Sequence, residues 1–109
     1  MIIQVACEAL RQGKVLELQY DGYSSNVEVH VCGYTELGHA LARAWLVSGG
    51  ATSSERPGWR LMKLDEAASA RITDEPSQAP RRGFKPDDPA MDRIVCEVSP
   101  RLAPRDPAS

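Results

Sequence analysis

Lys14-Val15-Leu16-Glu17-Leu18-Gln19-Tyr20-Asp21-Gly22 and, after four more residues, Val27-Glu28-Val29-His30-Val31-Cys32 carry the period that decides the fold. Leu16, Leu18 and Tyr20 point one way and Glu17 and Gln19 the other, the alternation of a half-buried strand. Asp21-Gly22 supplies the positive backbone angles of a tight hairpin turn. Val27, Val29 and Val31 then alternate with Glu28, His30 and Cys32, so a second strand returns antiparallel to the first.

Upstream, Ile2, Ala6 and Ala9 form one helical stripe with Ile3 and Leu10 beside it, while Gln4, Glu8, Arg11 and Gln12 take the other side. Gly13 stands where a left-handed residue ends such a helix. Downstream, Leu37-Gly38 marks a turn, and a third strand runs from about His39 to Ser48. The small, polar stretch from Gly49 to Gly58 reads as a loop. Trp59 to Leu64 is the fourth strand, Ala67 to Ile72 the fifth and Arg93 to Val98 the last, with irregular chain after Asp74. The expectation is a mainly β domain over residues 1–99, five to six strands in a small barrel or sandwich behind one short N-terminal helix, and a flexible tail over 100–109. No internal repeat is present, and nothing between strands is long and periodic enough for the crossover helix of a parallel sheet.

The 109 residues suit one core, and 42% hydrophobic with 26% charged residues is ordinary globular usage. A formal net charge of -2 offers no long-range pull on a polyanion. The cations are concentrated, however. Arg43 to Lys85 holds eight basic and five acidic side chains, so an anion site is expected there. Cys7, Cys32 and Cys96 are odd in number and far apart, with no secretory leader ahead of them; this argues against a disulfide framework and for the cytoplasm. Cys7 and Cys96 read as small core hydrophobes. No apolar run approaches the roughly 20 residues of a membrane-spanning helix.

The succession from Ala9-Leu10 through Leu18-Gln19-Tyr20 and Val27-Glu28-Val29-His30 to Arg60-Leu61-Met62-Lys63-Leu64-Asp65 resembles the WYL domain family. That pattern has a helix ending in "AI", a strand ending in Tyr, a "VEPH" strand, the namesake "WYLRAY" strand and an "RxFRLDRI" strand. Arg43-Ala44-Trp45 matches the second half of the namesake strand, whose first half is here Ala40-Leu41-Ala42; Asp65 is followed by Glu66-Ala67 rather than Arg-Ile. The resemblance spans roughly residues 3 to 73. It implies an Sm-like, SH3-type barrel that binds a small anionic ligand, a nucleotide or short single-stranded nucleic acid, and passes the signal to an attached helix-turn-helix. The chain holds no stretch for that module, so the resemblance implies a stand-alone sensor in transcription regulation, a fragment, or a subunit acting on a separate effector protein.

The candidate ligand-binding residues are Tyr20, His30, Arg43, Trp45 and Arg60. Alternation puts Arg43 between Leu41 and Trp45 on an otherwise apolar face, where a charge needs a carboxylate partner, a route to the rim or an anionic ligand. Arg60 shares a face with Met62 and Leu64, and two such arginines on adjacent strands could grip one phosphate or carboxylate by forked hydrogen bonds. His30 could hydrogen-bond a ligand and titrate near neutrality, or be a structural histidine. Tyr20 reads first as core packing with a polar tip. Trp45 and Trp59 could stack bases but read better as the heart of the barrel. Arg81, Arg82 and Lys85, around Phe84, are candidate phosphate contacts, blunted by Asp87, Asp88 and Asp92; equally, Phe84 could plug the barrel from below while the cations stay solvated.

Enzymatic chemistry finds little to stand on: no phosphate-cradling glycine motif, no HExxH and no paired-cysteine metal spacing occurs. His30 and Cys32, alternating on one strand face, could supply half a metal site, but nothing in the sequence brings further ligands near. No catalytic residue, metal or cofactor is therefore expected. The competing function is a protein-interaction or homodimer module docking through an open strand edge or the helix.

Overall fold

The computed structural model describes residues 1–52 and 55–99; the expected tail, 100–109, lies outside the described residues. Helix α1 spans Ile2–Gln12 and ends at Gly13, whose backbone is left-handed at φ 68° and whose N–H reaches back to the Ala9 and Leu10 carbonyls. Ile3, Ala6, Cys7 and Ala9 are its buried residues. The buried stripe is thus centred on Ile3 and Cys7 rather than on Ile2.

Strand β1 (Lys14–Tyr20) turns through Asp21-Gly22 into β2 (Tyr23–Tyr34), with Tyr20 opposite Tyr23. Of the two turn residues only Gly22 takes a positive φ, 83°. Next come β3 (Ala40–Gly49), β4 (Gly58–Lys63), a single 3-10 turn (Leu64–Glu66), β5 (Ser69–Pro76) and β6 (Arg93–Glu97). The fifth strand starts two residues later than expected and runs on to Pro76. All pairings are antiparallel, in the order β4-β3-β2-β1-β5, and β6 pairs with β2. Twelve-residue β2 is the spine: β3 lines one edge, while β1 takes the first half of the other edge and β6 the second half. β4 and β5 end the order unpaired with each other, so the mainly β expectation holds while the sheet is not closed into a barrel.

One face of this sheet packs under α1. Leu16, Leu18, Val27, Val29, Cys32, Ala42, Ala44 and Leu46 meet Ile3, Ala6, Cys7 and Ala9 there, and burial of that apolar area drives the fold. The other face is covered by the irregular segment 77–92, which seats Met91, with Phe84 and Ala90 beside it, on Val31 and Leu41.

A β-bulge decides which side chains reach that second face. Val29 pairs with Ala44 and Val31 with Arg43, so His30 is an extra residue in β2. Strict alternation had put Val31 with Val27 and Val29, and Cys32 with His30. The extra residue reverses both: Val31 joins the second face, and Cys32 turns into the main core. Trp45 and Trp59 sit half-buried on the second face, outside the main core, because each shares the parity of Arg43 and Leu61 rather than of Ala44.

The cysteine expectation is overturned. Cys7 in α1 and Cys96 in β6 form a disulfide across 89 residues of sequence, with Cα atoms 5.9 Å apart, and only Cys32 is free. Linear spacing carries no trace of this, because α1 reaches β6 only after β2 has brought β6 to its edge. The bond also removes one ground for expecting a reducing compartment. Among the described residues no helix is long and apolar enough to cross a membrane.

Candidate functional site

The second face is built on two carboxylate–guanidinium pairs whose acids are buried. Glu28, 2% exposed, lies opposite Trp45 on β3. A buried carboxylate is tolerable only when its oxygens are satisfied. Here Arg81 Nε donates to Oε1 at 2.6 Å, Arg81 Nη2 to Oε2 at 3.2 Å and the Gln78 backbone N–H to Oε2 at 2.9 Å. The Arg81 guanidinium also stacks over Trp45, 5.0 Å from the ring centre.

His30, fully buried, completes the clamp. Its Nε2 accepts the Arg81 backbone N–H at 2.8 Å, and its Nδ1 lies 2.9 Å from the Glu28 carbonyl. An amide can only donate and a carbonyl only accept, so the ring is the neutral tautomer with its proton on Nδ1. Burial lowers the pKa below the ordinary histidine value and outweighs the Glu28 backbone hydrogen bond, in keeping with that assignment. Both ring nitrogens are occupied, Nε2 by the segment and Nδ1 by the backbone of its own strand.

Arg43 meets the carboxylate partner that its position demands: Nε donates to Asp88 Oδ2 at 2.7 Å and Nη2 to Oδ1 at 3.2 Å. Asp88, 7% exposed, also accepts the Ala90 N–H, and the Arg43 hydrogen bond holds its carboxyl below the usual range. Arg60 is elsewhere. Arg43 faces Leu61 across β3 and β4 while Arg60 faces Ala44, so the two guanidiniums project from opposite sides of the sheet and cannot share one anion. Arg60 donates to Glu55 Oε1 at 3.3 Å and to the Arg56 and Trp59 carbonyls at 2.7 and 2.9 Å.

The sequence-predicted residues therefore divide between two clefts. On the α1 side, Tyr20 and Arg60 border a cleft of about 220 Å³ with Tyr23, Met62, Lys63 and Glu66. Tyr20 stacks on Tyr23 at 5.3 Å and donates to the Lys63 carbonyl at 3.3 Å; burial pushes its hydroxyl up to about 12. The donors of Arg60 are spent on its own chain there, and Glu55 and Glu66 balance the two cations.

On the second face, Arg43, Trp59, Gly83, Phe84, Lys85, Asp88 and Pro89 line a cleft of about 260 Å³. The Trp59 and Phe84 rings lie 6.5 Å apart at 32°, and both touch His30, at 4.6 and 5.4 Å. Trp45 braces Trp59 edge-on at 5.5 Å. Gly83, with φ 94°, brings the loop close to the indole: a Cβ there would stand 3.2 Å from Trp59 Nε1. Arg43 is neutralised by Asp88, whereas Lys85 is exposed and has no ion pair among the described residues. The same holds for Arg82, which lies outside the cleft, while Arg81 is consumed by Glu28. The basic patch thus splits into one buried clamp and two exposed cations.

Sequence reasoning missed Glu28 and Asp88 as architects of this face, whereas Phe84 packs against it as the plug that its place among solvated cations suggested. The one signal available was complementary charge: lone acids and lone arginines stood on strand and loop, each lacking a local partner.

His30 and Cys32, once candidates for half a metal site, lie on opposite faces. Among the described residues one group of metal-ligating atoms converges, the Sγ atoms of Cys7, Cys32 and Cys96, all within 4.8 Å of one another.

No family model, no curated protein and no solved structure matches this chain.

Proposed function

We propose that the protein is a ligand-sensing domain whose Trp59–Phe84–Lys85 cleft takes a small planar anion, a mononucleotide or the terminal nucleotide of a single strand. The observation that carries this reading is two half-buried rings beside a lysine that lacks a carboxylate, all set on a rigid floor. At about 260 Å³ the cleft falls below the range of drug-sized pockets, which suits one base and its phosphate rather than a longer ligand. A base stacks on Trp59 or Phe84, and Lys85 meets the phosphate. Arg43 stays with Asp88 and fixes the cleft wall. The finer fold reading goes with it: a WYL-type domain whose open sheet is a variant of the small SH3-like barrel, acting through an effector protein. We read it as a binder rather than an enzyme, since the histidine beneath the cleft has no free nitrogen to move a proton.

Titrating AMP, UMP and a short oligonucleotide against tryptophan fluorescence tests this. Phe84→Ala and Lys85→Ala should each weaken binding by about tenfold, in line with roughly 1–3 kcal/mol for one stacked base. Arg60→Ala, on the other face, should leave it unchanged. No saturable binding, or equal affinities across all three variants, would remove the site.

An interaction module remains the second reading because the outer edge of β4 is unpaired and Leu61 on it is 40% exposed. A concentration-independent monomer in light scattering would count against self-association.

A further inference from the structure

Three sulfurs meet beneath α1. Cys7 lies on the buried side of the helix, Cys32 in β2 and Cys96 in β6, and their Sγ atoms are all within 4.8 Å of one another. Cys7 and Cys96 are bonded, while Cys32 is free, wholly buried and directly opposite Cys96 across the β2–β6 pair. All three belong to the apolar cluster under the helix. That a third sulfur stands against the disulfide follows from the bulge at His30, which turns Cys32 into the core.

The chemistry of such a group narrows its ligand. Sulfur selects a soft, thiophilic ion. Among the described residues no histidine or carboxylate joins the three, so the fourth ligand of a closed zinc site is missing. Charge narrows it further. Three thiolates carry three negative charges into an apolar core, where an uncompensated charge is heavily penalised. A monovalent ion would leave two of them unbalanced and a divalent ion one, whereas a trivalent centre closes the site at neutrality.

We infer that, once the Cys7–Cys96 bond is reduced, Cys7, Cys32 and Cys96 form a binding site for a trivalent thiophilic centre, with arsenous acid as its type ligand. A dithiol reductant opens the site: the S–S bond breaks, two electrons and two protons pass to Cys7 and Cys96, and the dithiol becomes a disulfide. Arsenous acid then exchanges its three hydroxyls for three sulfurs. Three As–S bonds form, three As–O bonds break, and each departing hydroxyl takes a thiol proton to leave as water. No net charge enters the core, so a neutral, high-pKa thiol such as that of Cys32, pushed up to about 12 by burial, is no obstacle. Cys96, the least buried of the three, is the point of entry.

The test uses the full chain reduced with a phosphine and titrated with arsenite, followed by native mass spectrometry and thermal melting. One arsenic replacing three hydrogens is expected, with a rise in melting temperature that grows with arsenite concentration. Cys32→Ala should weaken binding by about tenfold or more and leave an adduct in which only two hydrogens are replaced. Its circular dichroism and its ability to re-form the Cys7–Cys96 bond report that it folds. Should it fail to fold, X-ray absorption at the arsenic edge of the wild type decides instead, since three sulfur neighbours support the site and two overturn it. Equal affinity in wild type and Cys32→Ala, or uptake of zinc or copper(I) with none of arsenite, would also overturn it. The group lies on the opposite face of the sheet from the Trp59 cleft, so the two readings fail independently.

Discussion

The two faces of one sheet are held by different forces. Under α1 the contacts are mostly Leu, Val, Ala and Ile, each replaceable in kind, pinned at one end by the Cys7–Cys96 bond. Under segment 77–92, two carboxylate–guanidinium pairs, Glu28–Arg81 and Asp88–Arg43, and a ring cluster around His30 do the same task. Apolar burial tolerates small shifts, whereas a buried ion pair demands its geometry, because a carboxylate left alone in the interior is worse than none. The difference teaches why a segment without regular structure can still be fixed: its backbone N–H groups at Gln78 and Arg81 are tied to side chains of β2. The site proposed above lies where this fixed segment meets the sheet.

The sharpest way to break the second face alone is Arg81→Ala. It strands the buried Glu28 carboxylate and should cost about 3–5 kcal/mol in urea unfolding, a large share of the stability of a domain this size. Replacing both partners, Glu28→Met with Arg81→Met, should recover most of that loss by making the second face resemble the first. A double variant no better than the single one would mean that the pair does more than satisfy its own charges.

Gly33→Ala probes the seam between the faces. An added Cβ would collide with the Arg93 carbonyl and crowd Met91 Sδ at 3.0 Å, so β6 must shift away from β2. The expected cost is about 1–3 kcal/mol, with faster amide exchange in β6 than in β1. Uniform exchange across both strands would argue that β6 is not a separable element.

The mildest expected effect is a pH dependence confined to the second face. The folded pKa of His30 lies below its ordinary 6.5, so the unfolded chain binds a proton that the folded chain refuses. Its contribution to stability is therefore complete above that ordinary value and fades as pH falls from 6.5 toward the lower folded value. Asp88 acts further down: its folded pKa is depressed below 3.8, so its contribution holds above 3.8 and is lost as pH falls through the folded value. Denaturant midpoints at pH 7.5 and 5.5 should differ in wild type and converge in His30→Asn. An unchanged pH slope in that variant would assign the effect to another group.

Much of the architecture was readable residue by residue. The helix stop at Gly13, the Asp21-Gly22 hairpin and the runs of β1 and β3 follow from local pattern, because backbone preference and a two-residue period act over neighbours. For Arg43 the pattern left open a carboxylate partner, the rim or an anionic ligand; that a carboxylate, Asp88, lies 45 residues on was not visible. Arg60 and His30 stood as ligand contacts, and their partners within the fold, Glu55 and the Arg81 backbone N–H, were not visible either. The Cys7–Cys96 bond and the burial of Glu28 left no local mark.

By itself, the sequence determined a strand-rich chain behind one amphipathic helix, with eight of its thirteen cations between Arg43 and Lys85, since these depend on spacing and composition alone. Only the tertiary structure decided which face each side chain joined. A single unpaired residue at His30 reverses the parity of everything after it in β2, and pairing with β6 and the 77–92 segment gives those faces their partners. Register and long-range charge pairing are properties of the assembled sheet, so the second face, the three-sulfur group and the cleft come into existence only when the strands have paired and the helix and segment 77–92 have packed on them.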